Sequence, residues 1–444
     1  MSADHRVSEK KTENQFSLFR SRNFMPLFLT QFLGAFNDNF FKSSMVMLIT
    51  YRLAERAGYD SRILVNVAGG VFILPFFLFS APAGQLADKY ERSFLVQLIK
   101  IAEIVVMAGA ALGFYLESVH LLMVVLFLMG AQSTFFGPLK YSILPQHLRE
   151  DQLVAANGLI QMGTFLSILT GTICGGLLIL SSVGIHLVSF LVIGIAAAGW
   201  QASRYIPKTV PIDPQLKPSL NFVKDTVKII VNVVPRRDVF LSILAISWFW
   251  LVGTTFLSQF PTYAKFVIGA NEQVATLFLA IFSVGIGLGS IACNSLLKGE
   301  VSGRYVPWAA GGMSVASVLL YFFSMRASLP VGSAEIGVFA FLGSMKNLGV
   351  LACLFSVSFF GGLYIVPLYA IIQSRSEESR MATVIACTNI MDSLFMVLSA
   401  VGPSVLLMAG FSIPQIFLVM ALLTVIAAFV IRGTVHDQMR KRGA

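Results

Sequence analysis

Residues 84–92 read Gly84-Gln85-Leu86-Ala87-Asp88-Lys89-Tyr90-Glu91-Arg92. They form a short charged turn between two long apolar runs, 63–87 and 93–116. Each run is longer than the ~20 residues a helix needs to cross a bilayer. The chain therefore crosses, turns within a few residues and crosses back.

The same pattern repeats outward in both directions. Apolar runs near 24–50, 119–144, 153–181, 184–206, 238–262, 273–297, 304–325, 348–372, 381–409 and 411–432 bring the expected total to twelve spans. Hydrophobic residues make up 56% of the 444 and charged residues 12%, where a soluble domain carries about 25% charged residues. Twelve helices and short loops use up this length, so we expect an all-α membrane protein with no separate soluble domain. The first 22 residues lack an apolar core, and no cleavable signal peptide is expected. Cys174, Cys293, Cys353 and Cys387 all lie in apolar runs and read as small packing residues, not a disulfide framework.

The formal charge of +10 would suit nucleic acid or an anionic surface, and its distribution decides. Arg52, Arg56, Arg62, Lys265, Arg326 and Lys346 fall in one set of loops, and Lys42, Lys100 and Lys140 within spans. All the other Lys and Arg, of 32 in the chain, fall in the termini and the alternate loops. By the positive-inside rule both termini are cytoplasmic. The charge is a topology signal, and no nucleic-acid partner is expected.

Polar residues 207–237, with Pro207, Pro211, Pro214 and Pro218, form a cytoplasmic linker between two halves. The expected order is a cytoplasmic segment 1–22, a six-helix half 23–206, the linker, a second half 238–432 and a cytoplasmic tail 433–444. A weak repeat relates the halves. Pro138-Leu139 and Pro367-Leu368 lie 229 residues apart, and Asn157 and Asn389, read as opening helices five and eleven, lie 232 apart. Residues 327–347, interrupted by Pro330, Gly332, Glu335 and Gly343, read as a loop with an interfacial helix.

The 84–92 turn resembles the signature between helices two and three of the major facilitator superfamily. That resemblance implies two parallel six-helix repeats. In it Gly84 permits close helix approach, while Asp88 and Arg92 hold charge pairs and helix-end contacts that lock the cytoplasmic side. An ordinary charged turn is the alternative.

Helix one carries Asn37-Asp38-Asn39 and Lys42. Asp38 lies roughly 20–24 Å from either end of its helix, where an ionised group must face the bundle interior, water or a partner. Lys42 stands one turn on and is placed to pair with Asp38. Either this is a structural ion pair, or Asp38 belongs to a polar-headgroup or coupling site with Asn37 and Asn39 beside it. Lys140 lies roughly 13 Å inside helix four; it either snorkels or supplies a cavity cation for a phosphate. Lys100 and Glu103 read as a self-compensating pair, and Asp392 in helix eleven as a possible coupling residue. Helix seven offers aromatics, Trp248-Phe249-Trp250, Phe256 and Phe260, in place of charge. The glycines of helices five and eight read as packing positions. No GxxxxGK[ST] is present and the five histidines show no metal spacing, so no nucleotide hydrolysis, cofactor, metal or catalytic residue is expected.

Several stretches together are similar to the bacterial lysophospholipid transporters, most of all to the transporter half fused in some bacteria to an acyltransferase and acyl carrier protein synthetase. They are Gln31 to Lys42, Pro138 to Leu144, Leu153 to Leu159, Gly287 to Ser290, Gly361 to Leu368 and Phe395-Met396-Val397. The resemblance implies a monomer in the bacterial inner membrane moving lysophosphatidylethanolamine-type lipids to the inner leaflet for re-acylation, with any acyltransferase a separate protein. It also implies that Asp38 meets the headgroup amine and Lys140 the phosphate, with Lys42, Asn37 and Asn39 nearby. Two positions depart from the family: Thr254-Thr255-Phe256 stands where a helix-seven cation is usual, and Asp392 where an Asn is expected. The alternatives are a proton-coupled exporter of a small amphiphile such as a drug or siderophore, with Asp38 or Asp392 carrying the proton, and a non-transporting scaffold that recruits an acyltransferase.

Overall fold

The computed structural model describes residues 14–53, 61–216, 221–327 and 335–442. Within them lie twelve long helices: α1 (Met25–Leu48), α2 (Ser61–Lys89), α3 (Arg92–Tyr115), α4 (Val119–His147), α5 (Glu150–Ile179), α6 (Gly184–Ser203), α7 (Arg237–Tyr263), α8 (Glu272–Leu297), α9 (Val306–Ala327), α10 (Met345–Arg375), α11 (Met381–Met408) and α12 (Ile413–Arg442). Ten are long and apolar enough to cross a membrane; α1, interrupted by polar residues, and α12, whose apolar part is Ile413–Phe429, complete the bundle.

The repeat hinted at in sequence is plain in the packing. In the first half α1 packs on α5 and α6, α2 on α4, and α3 on α4 and α6. In the second half α7 packs on α11 and α12, α8 on α10, and α9 on α10 and α12. The halves meet through α2 against α11 and α5 against α8, the two crossings that a two-fold axis between the halves would exchange. At the second crossing Gly158 lets the backbones touch: a Cβ there would stand 2.6 Å from the Ser290 carbonyl oxygen.

Burial along α2 and α11 shows where the halves join. Near the end of the bundle that carries the termini, hereafter the basic end, Ser80–Ala83 and Ala87–Asp88 of α2 and Met381–Thr388 of α11 are mostly buried. Toward the opposite end Ile63, Val67, Leu74, Val397, Val401 and Val405 are exposed. The contacts that join α2 to α11 thus gather toward the basic end, and the opposite stretches of both helices carry exposed apolar residues.

One sequence expectation needs correction. Asn157 and Asn389 do not open their helices; each lies inside, about two turns from the N-terminus. Among the described residues between α9 and α10, Val338–Leu342 is helical and Ile336 forms a single bridge to Ala270; Pro330 and Gly332 fall outside the described residues, as do Arg56, Lys217 and Pro218. In the linker the polar run ends in a twelve-residue helix, Phe222–Val233, capped by the Asn221 side chain on the Lys224 N–H.

Candidate functional site: a mid-bundle charge cluster above an inter-half latch

The latch lies at the basic end and is built from the turn that decides the fold. Gly84 faces α11; a Cβ there would stand 2.7 Å from the Ala386 Cβ and 3.0 Å from the Thr383 Cα. One turn on, Asp88 is buried and reaches the N-terminus of α11. Its Oδ1 accepts from the Ala382 N–H at 3.0 Å, and its Oδ2 from the Thr383 N–H at 2.9 Å and the Thr383 hydroxyl at 2.7 Å. The first N–H groups of a helix have no partner within it and carry partial positive charge, so a carboxylate from the other half is well matched to them. Arg92, fully buried, holds Asp88 in place: Nη2 donates to Asp88 Oδ1 at 3.2 Å, Nη1 to the Ser142 carbonyl at 2.8 Å and Nε to the Ala87 carbonyl at 3.1 Å.

The linker straps this latch. Glu91 caps α3, accepting from the N–H groups of Ser93 and Phe94, and also accepts from the Thr209 N–H at 2.8 Å and hydroxyl at 2.7 Å. Thr209 Oγ1 in turn accepts from the Arg92 N–H at 2.9 Å, and the Asp213 N–H donates to the Asp88 carbonyl at 3.0 Å. Partial burial pushes the Glu91 carboxyl up, but the hydrogen bonds from Thr209 and Ser93 outweigh it and leave the group below the usual carboxylate range.

Further cross-half contacts lie between the latch and the bundle middle. Asn157 Nδ2 donates to Gln373 Oε1 at 2.6 Å, and Gln373 Nε2 to the Tyr141 carbonyl at 3.0 Å. The rings of Tyr141 and Tyr369 stack with centroids 4.1 Å apart. Arg236, at the end of the linker, pairs with Glu377 of the second half nearer the surface.

The charge cluster occupies the middle of the first half. Lys100 Nζ and Glu103 Oε2 pair at 2.6 Å, both buried. A buried pair needs its remaining lone pairs satisfied, and Gln132 Nε2 and Asn37 Nδ2 do this for Glu103 at 3.1 and 3.2 Å. Asn37 is thus committed to Glu103 and the Val192 carbonyl, behind α1, and is not beside Asp38 in a shared site. Asn39 likewise donates its amide to the Ala35 carbonyl of its own helix.

Asp38 and Lys42 do not form the ion pair that their spacing suggests. Asp38 Oδ2 accepts from the Ser133 hydroxyl at 2.6 Å, and Lys42 Nζ sits 5.3 Å from the centre of the Phe72 ring. The two side chains point to different neighbours: Ser133 on α4 donates to the carboxylate, and the Phe72 ring face on α2 receives the ammonium. Asp38 Oδ1 has no hydrogen-bond partner. Lys140 does not snorkel to the surface. It is half-buried, with Nζ 4.8 Å from the centre of the Tyr141 ring, and lies in electrostatic reach of both Asp38 in its own half and Asp392 in the other. Asp392 is held by the Ser247 hydroxyl at 2.7 Å.

The aromatics of α7 divide. Phe256 and Phe260 are second-half core, Phe256 stacked on Phe417 at 4.3 Å. Phe249 and Trp250 instead meet Phe165 of α5 across the halves. Sequence reading passed over Ser133, Ser247, Thr209, Glu91, Thr383 and Gln373. They are ordinary polar residues whose roles depend on which helix faces them, and only the N-cap position of Glu91 before Ser93 left a local trace.

Two pseudo-symmetric six-helix halves, joined at one end by a charged inter-half latch, are the architecture of a membrane transporter. The chain belongs to the major facilitator superfamily, whose family model matches residues 27–345; it is a transport family and not an enzymatic one. Among similar proteins, the lysophospholipid transporter LplT of Escherichia fergusonii is 26% identical over 367 residues, 81% of this chain and 82% of that one. The LplT of Salmonella typhimurium is 26% identical over 365 residues, 81% of each chain. Among solved structures, the human organic anion transporter MFSD10 aligns with a TM-score of 0.70 at 14% identity, covering 92% of this chain and 99% of its own. A bacterial homologue of the iron transporter ferroportin in an outward-facing state aligns with a TM-score of 0.65 at 14% identity, covering 93% and 98%. These likenesses to solved structures concern the fold alone.

Proposed function

We propose that this transporter moves lysophospholipids, of the lysophosphatidylethanolamine type, from the outer to the inner leaflet of a bacterial inner membrane, with both termini in the cytoplasm. The observation that carries the reading is the arrangement of charge in the middle of the bundle. One carboxylate oxygen, Asp38 Oδ1, is unpartnered, and the ammonium groups of Lys42, Lys100 and Lys140 lie within electrostatic reach of Asp38; Lys100 is taken by Glu103 and Lys42 sits over the Phe72 ring, which leaves Lys140 to act with Asp38. That pair complements a zwitterionic headgroup, an amine for Asp38 and a phosphate for Lys140. The distant likeness to lysophospholipid transporters over most of both chains supports the same cargo.

In this reading the headgroup enters between the halves from the end opposite the latch, while the acyl chain remains in lipid or against Phe165, Phe249 and Trp250. Release of the Asp88 latch and rocking of the halves then exposes the headgroup at the basic end. Lys42 and Asp392 flank the site, and Asn37 and Asn39 contribute by fixing α1.

The test is uptake of labelled lysophosphatidylethanolamine by cells lacking their own transporter. Wild type restores uptake; Asp38→Ala and Lys140→Ala, expressed to the same level, do not. Normal uptake by both variants would remove the site, and no uptake by well-expressed wild type would remove the cargo. Asp392, buried with a single hydroxyl partner, favours a second reading, a proton-coupled exporter of a small amphiphile. Transport that collapses with the proton gradient and is not competed by lysolipid would select it.

A further inference from the structure

The linker helix Phe222–Val233 has two apolar faces and only one of them is covered by protein. Asp225, Ile229 and Val233 are buried against the ends of α2 and α11. Val223, Val227, Val231 and Val234 are 76%, 55%, 60% and 45% exposed. At about 100° per residue these four fall within an arc of about 80°, roughly opposite the buried face. Four β-branched apolar side chains in one exposed stripe are not a solvated surface; a helix meant for water would carry charge there. Exposed Lys224 and Lys228 border the stripe on one side.

We infer that this second face docks onto the anionic headgroup surface of the bilayer in which the bundle sits. Two features of the molecule select that occupant over a soluble partner. The helix packs on the basic ends of two membrane-spanning helices, so it lies at the level where the bilayer surface begins. Its charge also has the right sign: an apolar stripe edged by lysines is the pattern of an interfacial helix, with valines in the acyl boundary and ammonium groups among lipid phosphates. The inner face ties the surface to the latch. The same linker carries Thr209 and Asp213, which bond the 84–92 turn, so docking steadies the strap that holds the halves together.

The full-length protein is reconstituted in lipid nanodiscs of phosphatidylcholine, with or without phosphatidylglycerol, and backbone amide exchange is followed. Exchange over 222–233 is expected to slow in the anionic discs by up to about thirtyfold, from about fivefold per basic residue near such a surface. The amides of Ala382 and Thr383 slow in step. Lys224→Gln/Lys228→Gln removes the difference between disc types, and Val227→Asp/Val231→Asp speeds exchange in both; all four positions are exposed, so the fold is retained. Equal exchange in the two disc types, or protection that arises only when a soluble protein is added, would overturn the proposal. A helix that responds while Ala382 and Thr383 do not would overturn its link to the latch.

Discussion

The Asp88 carboxylate of α2 caps the N-terminus of α11 at Thr383, taking both the backbone N–H and the hydroxyl of that residue. One half of the molecule thus completes a helix that belongs to the other. Separating the halves at this end leaves the first amides of α11 unmet and Asp88 with Arg92 alone.

Asp88→Ala should therefore open the basic end. Hydrogen bonds to a charged group contribute about 1.5–3 kcal/mol, so the open population is expected to rise by roughly tenfold or more. Thr383→Val keeps both backbone bonds and should have a smaller effect in the same direction. Labelling of a cysteine placed on α4 near Tyr141, with reagent supplied from the basic end, reads the shift.

The Asn157–Gln373 contact gives a cleaner energetic test because both side chains are buried. Asn157→Leu strands Gln373 Oε1, at a cost of about 1–3 kcal/mol for a buried unsatisfied group. The double variant Asn157→Leu/Gln373→Leu should cost less than the sum of the single changes, because neither side chain is left facing an unmatched partner; the donor lost to the Tyr141 carbonyl is common to both Gln373 variants and cancels in the cycle. Thermal unfolding in detergent, carried through all four proteins of the cycle, measures the coupling; strict additivity would show that the pair does not join the halves.

Headgroup chemistry separates the two charges of the proposed site. Asp38→Asn should impair transport of lysophosphatidylethanolamine and spare a lysolipid whose headgroup has no amine. Lys140→Met should impair both, because the phosphate is common to them. Loss of a buried charge partner costs 2–5 kcal/mol or more, so roughly thirtyfold or greater changes in apparent affinity are expected. Equal losses for both lipids in Asp38→Asn would detach the carboxylate from the amine.

Acid should loosen the linker strap, and only acid. Hydrogen bonds from Thr209 and Ser93 hold the Glu91 carboxyl below its ordinary range. A depressed carboxyl contributes stability that is complete above its unfolded pKa of about 4.3 and is lost as pH falls through the lower folded value. Amide exchange at Thr209 should be flat from neutral pH to about pH 5, after correction for intrinsic rates, and accelerate below about pH 4. Glu91→Gln should abolish that step.

The fold was legible because a bilayer imposes length. Runs such as 63–87 and 93–116 announce themselves, and basic loops mark one end. The latch was half legible: Gly84, Asp88 and Arg92 stand together in sequence, but their acceptor and donors on Ser142, Ala382 and Thr383 come from other helices, and no local pattern points to them. In the charge cluster the i,i+3 pair Lys100–Glu103 could be read from spacing. The i,i+4 pair Asp38–Lys42 misled, because spacing says which residues share a face and not which neighbouring helix competes for them. Ser133 on α4 wins Asp38, and the Phe72 ring wins Lys42. Asn37 is the same lesson: one residue from Asp38 in sequence, about 100° away around the helix, and turned to Glu103.

The repeat places chemically unlike residues at one position beside its shared Pro-Leu landmark. With Pro138 and Pro367 aligned, Lys140 corresponds to Tyr369, whose ring stacks on Tyr141. Two identical copies around a two-fold axis would offer a cargo two binding poses of equal energy, and a molecule rotated half a turn would fit as well as one that was not. A lysine in one copy and a tyrosine in the other lift that degeneracy. The halves keep a common packing while the interior between them is polar in one direction, which gives a bound dipole one favoured orientation in this conformation.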